Sequence, residues 1–192
     1  MQAASTTPSA RKLELLEAAY RYVLEHGMAD MSLRPLATAI GSSPRVLIFL
    51  FGSKEGLQRA LLARARVDEL AILEHLGHDG DPIGLVPAVE GVWTWLAAGE
   101  HGPLLRLWVE AYARSLIEPE GAWAGFAAAT VGDWLEVLAS CQPAPERDGE
   151  HGAARRSLAL AVLRGALLDL LATGDEQRVT AAMRLQLELL RS

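Results

Sequence analysis

Three basic residues stand where a polyanion could be gripped. Arg45 follows Ser43-Pro44 at the start of a short apolar stretch. A guanidinium at that place can fork onto guanine or clamp a phosphate. Lys54 falls in the first turn of the next helix, where free backbone N–H groups and the positive dipole end already favour phosphate. Arg34, near the start of the preceding helix, is a third phosphate candidate. A short helix entering a major groove presents its first residues to base edges. The candidate DNA-reading set is therefore Arg34, Ser43, Pro44, Arg45, Val46, Ile48, Phe49 and Lys54, with Ile48 and Phe49 on the outward side.

A second cluster is aromatic. All five tryptophans lie between positions 93 and 134, and Tyr112 and Phe126 fall in the same region. Such residues can line a cavity for a planar or lipophilic small molecule, or they can supply core area. The candidate ligand-lining set is Trp93, Trp108, Tyr112, Phe126 and Trp134, led by Trp93 and Trp108. Glu110, between Trp108 and Tyr112, is expected on a solvated face; buried, it could pair with a cationic effector.

Other chemistry is weakly supported. His75, His78, Asp79 and Asp81 have spacing a metal could use, but they run into a Gly-rich turn with no further ligand, so no metal and no cofactor are expected. Cys141 is the one cysteine and has no histidine or basic residue beside it, which excludes an internal disulfide framework and reads as an inert thiol. No phosphate-binding Gly-rich loop and no G-x-S-x-G occurs, which argues against an enzyme.

The elements needed to position these residues are helices. The chain has 192 residues, 51% of them hydrophobic, with no strand signal. Periodicity predicts about nine helices, an all-α fold: 9–26, 32–41, 43–51, 53–77, 82–98, 104–117, 122–139, 153–172 and 176–190. On the first helix Leu13, Leu16, Ala19, Tyr20, Val23 and Leu24 are expected on one face, with Gly27 closing it. Ser9, Ser32, Ser43 and Ser53 are the expected caps. In the third helix, Leu47, Leu50 and Phe51 should point inward. The proposed organisation is a disordered tail over 1–8, a helix-turn-helix head over 9–52 and a body over 53–192.

Charge divides the same way. Residues 1–66 hold nine Lys/Arg against five Asp/Glu, while the rest holds nine against nineteen, within a net charge of −6. A basic head on an acidic body suits steering onto DNA. No apolar run reaches the ~20 residues of a membrane span, so no membrane partner and a cytoplasmic location are expected.

The helix over 153–172 is apolar around much of its circumference, and Gly165 and Ala166 allow close approach. With the last helix it suits a two-fold four-helix interface through Leu158, Val162, Gly165, Ala166, Val179, Met183 and Leu187; an internal hairpin buried in one subunit is the alternative.

The first amphipathic helix ending at Gly27, the LAxxIG of residues 36–41 and Phe51-Gly52-Ser53-Lys54-Glu55-Gly56-Leu57 carry a resemblance. Residues 10–57 resemble the DNA-binding head of the TetR family of transcriptional repressors. The resemblance implies a homodimer that binds double-stranded DNA at a pseudo-palindromic operator and is released by a small hydrophobic or aromatic effector in the body. It also marks a departure. The family usually places a Tyr and a His late in the reading helix, where both touch phosphates; here those positions are Ile48 and Leu50. Losing both contacts should weaken binding by ~1–3 kcal/mol in all. Two other readings remain: a helical small-molecule-binding protein whose head no longer reads DNA, and an all-α enzyme with a hidden site.

Overall fold

Gly and Pro cut the helix-forming sequence into ten α-helices among the described residues: α1 Ala10–His26, α2 Leu33–Ala39, α3 Pro44–Phe51, α4 Lys54–Leu76, α5 Leu85–Ala97, α6 Gly102–Ile117, α7 Phe126–Ser140, α8 Ala144–Arg147, α9 Glu150–Thr173 and α10 Glu176–Arg191. This computed structural model describes residues 10–28, 31–76 and 82–191. The expected tail 1–8, the Ser9 cap and the side chains of Leu73, His75, Leu76, His78, Asp79 and Asp81 lie outside the described residues. The fold is all-α, and no described helix is long and apolar enough to cross a membrane.

The differences from the expected helices have local causes. The expected helix over 122–139 starts only at Phe126; Gly121–Trp123 form a single 3-10 turn, and Gly125 sits at φ +73° between them. That turn lets Trp123 and Phe126 both plug the apolar core beneath the head. The helix expected from 82 begins at Leu85, because Gly84 spends its N–H on the Cys141 carbonyl at 2.7 Å. The loop-like stretch 142–152 holds the additional short α8. Arg156 fastens it by donating to Gln142 Oε1 at 2.6 Å and to the Arg147 carbonyl at 2.9 Å.

Two apolar cores result. The first joins α1 (Leu15, Tyr20, Val23), α2 (Leu36), α3 (Leu47, Phe51) and α4 (Leu57, Leu61) to Leu107 and Ala111 of α6. The inward row on α1 is Leu15, Ala19 and Val23, at i, i+4, i+8, whereas Leu13 is half-exposed; the stripe is rotated from the expected one. The second core joins α5, α7, α9 and α10. Burying one leucine in either is worth roughly 1.5–3 kcal/mol. Helix α4 runs between the two. Tyr20 of α1 donates to Asp68 Oδ2 at 2.8 Å, Arg64 reaches Glu17 of α1 at 2.6 Å, and Arg66 pairs with Asp133 of α7.

Candidate functional site

The head is built around the entry to α3. Ser43 is extended, and its hydroxyl accepts the Val46 N–H at 3.3 Å, with Pro44 inside the first turn where a missing N–H costs little. Ser43→Ala should destabilise the head by about 1 kcal/mol, read as a lower urea midpoint followed by Tyr fluorescence or amide exchange in 32–57. Ser32 occupies the equivalent place on α2, but its side chain makes no capping bond. At the far end of α3 the chain doubles back so tightly that a Cβ on Gly56 would lie 2.0 Å from the Phe51 carbonyl. The Ser53 hydroxyl accepts the Gly56 N–H at 3.0 Å, which sets Lys54 in the open first turn of α4.

Leu47 and Phe51 are buried and Leu50 packs beside them, while Ile48 and Phe49 face solvent, Phe49 with 84% of its surface exposed. Arg34, Arg45 and Lys54 are exposed, and among the described residues no carboxylate pairs with any of them. Ser43 and Val46 are exposed and Pro44 half-buried on the same helix entry. The arrangement offers three uncommitted cations and an apolar ridge on one short helix, which suits phosphates and thymine methyls.

The body contains a cleft between α5, α6, α7 and α9, with about 660 Å³ of space, part of it open to solvent. Trp108, Tyr112 and Trp134 line it together with Val92, Thr130 and Arg164. Trp93 does not: its indole points to α10 and donates to Thr180 Oγ1 at 3.2 Å. Phe126 does not either; it belongs to the core below the head. Trp108 and Trp134 meet edge to face at 5.6 Å, and behind them lies a smaller hollow closed by Glu69.

Glu69 is 2% exposed. Its Oε2 accepts the Trp108 indole N–H at 2.9 Å with Arg66 at 3.8 Å, while Oε1 has no hydrogen-bond partner. Burial pushes its carboxyl up to about 7, against the opposing pull of the Trp108 bond and Arg66. Sequence reasoning passed over Glu69, although it continues the inward i, i+4 row Leu61-Ala65-Glu69. Among the described residues no group of three or more His, Cys, Asp or Glu could hold a metal.

Glu110 is neither on a solvated face nor in the cleft. Both its oxygens accept the Met28 backbone N–H, at 3.0 and 3.2 Å, just after α1. A Cβ on Gly27 would sit 3.3 Å from Glu110 Oε2, and Gly27 has φ +79°, so the turn suits glycine on both counts. Helix α6 thus holds the head loop on one side and lines the cleft on the other.

Residues 15–61 match the family model for bacterial regulatory proteins of the tetR family. The head is that of the TetR family. The likeness of fold extends to the whole chain. A structure from Rhodococcus sp. described as a TetR-family transcriptional regulator is 18% identical at a TM-score of 0.75, over 96% of this chain and 100% of that one. GusR of Salmonella enterica is 22% identical at 0.68, over 98% of each chain. The multidrug binding protein EbrR, in complex with imidazole, is 23% identical at 0.68, over 99% of this chain and 96% of that one. No curated protein matches.

In this TetR fold, α9 and α10 lie antiparallel, with Arg178 bonded to Asp169 at 2.6 Å near their shared turn. Val179, Met183 and Leu187 are buried inside the subunit, against α5 and α9, so they are not an outer face; α10 is amphipathic and spends this side on its own core. Outward lie Leu158, Gly165 and Leu168 of α9 and Leu185 and Leu189 of α10, with Val162 and Ala166 half-buried beside them. The apolar circumference of α9 is therefore divided between an inner core and an exposed stripe.

Proposed function

We propose that the protein is a homodimeric, ligand-responsive transcriptional regulator, a repressor whose two heads bind a pseudo-palindromic operator in double-stranded DNA in the cytoplasm. The observation that carries this reading is the set of uncommitted cations, Arg34, Arg45 and Lys54, around the capped α3 of a chain whose net charge is −6. The division into a reading head over 9–52 and a sensing, dimerising body over 53–192 belongs to the same proposal. The body cleft is the effector site, and its lining of Trp108, Tyr112 and Trp134 suits a small hydrophobic or aromatic molecule. That EbrR, of similar fold, is described as a multidrug binding protein lends support.

Fluorescence anisotropy on DNA from upstream of the protein's own gene tests the reading. With about three phosphates neutralised per head, log affinity should fall against log salt with a slope of about −5. Absence of any shift at 50 mM salt, with the folded dimer verified, would sink it. The exposed apolar ridge of Ile48 and Phe49 favours a second reading, a small-molecule-binding protein whose head no longer reads DNA, and that null result is its expected outcome.

The dimer is proposed to form through the outward stripes of α9 and α10. Leu185→Arg should then give a monomer in analytical ultracentrifugation, and DNA affinity should fall by roughly a hundredfold as the second half-site is lost. A dimer of unchanged mass would place the interface elsewhere.

A further inference from the structure

The cleft is lined by an arginine that no acid among the described residues answers. Arg164 of α9 lines it half-buried; its Nη1 donates to the Tyr112 hydroxyl at 2.6 Å, and its Nε reaches the Leu160 carbonyl at 3.5 Å. Among the described residues no carboxylate lies within ion-pair distance of it. A guanidinium stays charged at any working pH. Half-buried beside an apolar cleft, it has two hydrogen bonds and the face of the Tyr112 ring, 5.7 Å away, as partners, but no opposite charge among the described residues. The neighbouring polar groups add donors. The Tyr112 oxygen already accepts from Arg164, so its own proton is free to be given elsewhere. Thr130 also lines the cleft, and its hydroxyl is buried without a partner.

Glu69 does not balance this charge. It lies in the separate hollow behind the Trp108–Trp134 pair and does not line the cleft. The surface of the cleft is nearly all hydrocarbon and indole; the residues that line it include one cation, Arg164, and two hydroxyl-bearing side chains, Tyr112 and Thr130.

We propose that the cleft takes an amphipathic monoanion, a carboxylate on a medium-chain or aromatic body, with the carboxylate held by Arg164 and Tyr112 and the body against Trp108 and Trp134. The inference rests on the effector-site reading of the same cleft. Arg164 forks onto the two carboxylate oxygens as arginine does elsewhere, and Tyr112 donates its O–H to one of them. A cation of the same shape meets repulsion from Arg164, and a neutral alcohol leaves the charge unanswered.

Isothermal titration calorimetry on the full-length protein, with decanoate, 2-naphthoate, decan-1-ol and decylammonium, tests it. At least one of the acids should bind ten times more tightly than the alcohol, and which acid does so tells a chain-shaped body from an aromatic one. Arg164→Gln should weaken that acid roughly tenfold to a hundredfold. Arg164→Lys should recover part of the loss, and Tyr112→Phe should cost several-fold. Circular dichroism melting checks each variant; if Arg164→Gln does not fold, the other two decide. Tighter binding of the ammonium or the alcohol, failure of both acids to bind, or indifference to Arg164 overturns the proposal. So does a change of dimer mass in Arg164→Gln, which would assign the arginine to the subunit interface. These titrations contain no DNA. Acid binding that leaves operator affinity unchanged would refute the regulator reading and keep the site, whereas operator binding without acid binding would do the reverse.

Discussion

Glu69→Gln should raise the melting temperature at pH 8 by roughly 5–10 °C and change it little at pH 4. Burial is the leading cause that pushes the Glu69 carboxyl up to about 7 in the folded protein, from an ordinary value of 4.5. Between those values the folded state holds a proton that the unfolded chain has released. Stability therefore falls as pH rises from about 4.5 to 7 and stays low above it. The penalty between pH 5 and 8 is on the order of 2–3 kcal/mol. Glutamine keeps an oxygen to accept the Trp108 indole N–H but never ionises, so the variant's stability should lack this slope. Thermal melts at pH 4, 5, 6, 7 and 8 measure it; parallel curves for the two proteins would mean that Glu69 ionises freely in the fold.

Arg45→Ala should weaken operator binding by about 2–4 kcal/mol per dimer, because two arginines are removed at once from base or phosphate contacts. The effect should be larger for the preferred sequence than for random DNA if Arg45 reads a base, and equal for both if it holds a phosphate. Lys54→Ala should act differently. It removes one phosphate contact per head, so the salt slope should flatten by about 2 per dimer, with little change in sequence preference. Among the described residues neither makes an ion pair or a side-chain hydrogen bond, so the fold should survive both changes. Anisotropy on specific and random duplexes at four salt concentrations separates the cases. If neither substitution mattered, the head would be a remnant of a DNA reader, and a small-molecule-binding protein whose head no longer reads DNA would be the better description.

The head was the most legible part of the chain because its signals are local. The Ser43-Pro44 start, the Gly-Ser turn and the crowded Gly56 each declare a backbone geometry within a few residues. The reading of α3 also followed from periodicity: Leu47 and Phe51 inward, Phe49 outward. The body was less legible because what decides it is contact between distant helices. Glu110 is two residues from both Trp108 and Tyr112, and nothing nearby in sequence says that it reaches back 82 positions to the Met28 amide. Trp93 and Trp108 look alike as letters, yet one bonds Thr180 on α10 and the other Glu69 on α4. Val179, Met183 and Leu187 were assigned to an outer seam because an amphipathic helix displays one apolar stripe without saying which neighbour covers it. Here that stripe is covered by α5 and α9 of the same subunit, and the apolar residues that α10 leaves exposed are Leu185 and Leu189.

The carboxylate of Glu110 has a wider implication. On α6, residues 108 and 112 lie on one side of the helix axis and residue 110 on the other, so a rigid turn that moves the cleft wall moves the grip on Met28 with it. A mechanical link of this sort has no preferred direction. If the protein is the ligand-responsive regulator proposed above, whatever factor an effector takes from the affinity for DNA, an occupied operator must take from the affinity for that effector. Promoters bound most tightly would then answer only to higher concentrations of the same molecule. One sensor could thereby switch its strong and weak sites in sequence as that molecule accumulates.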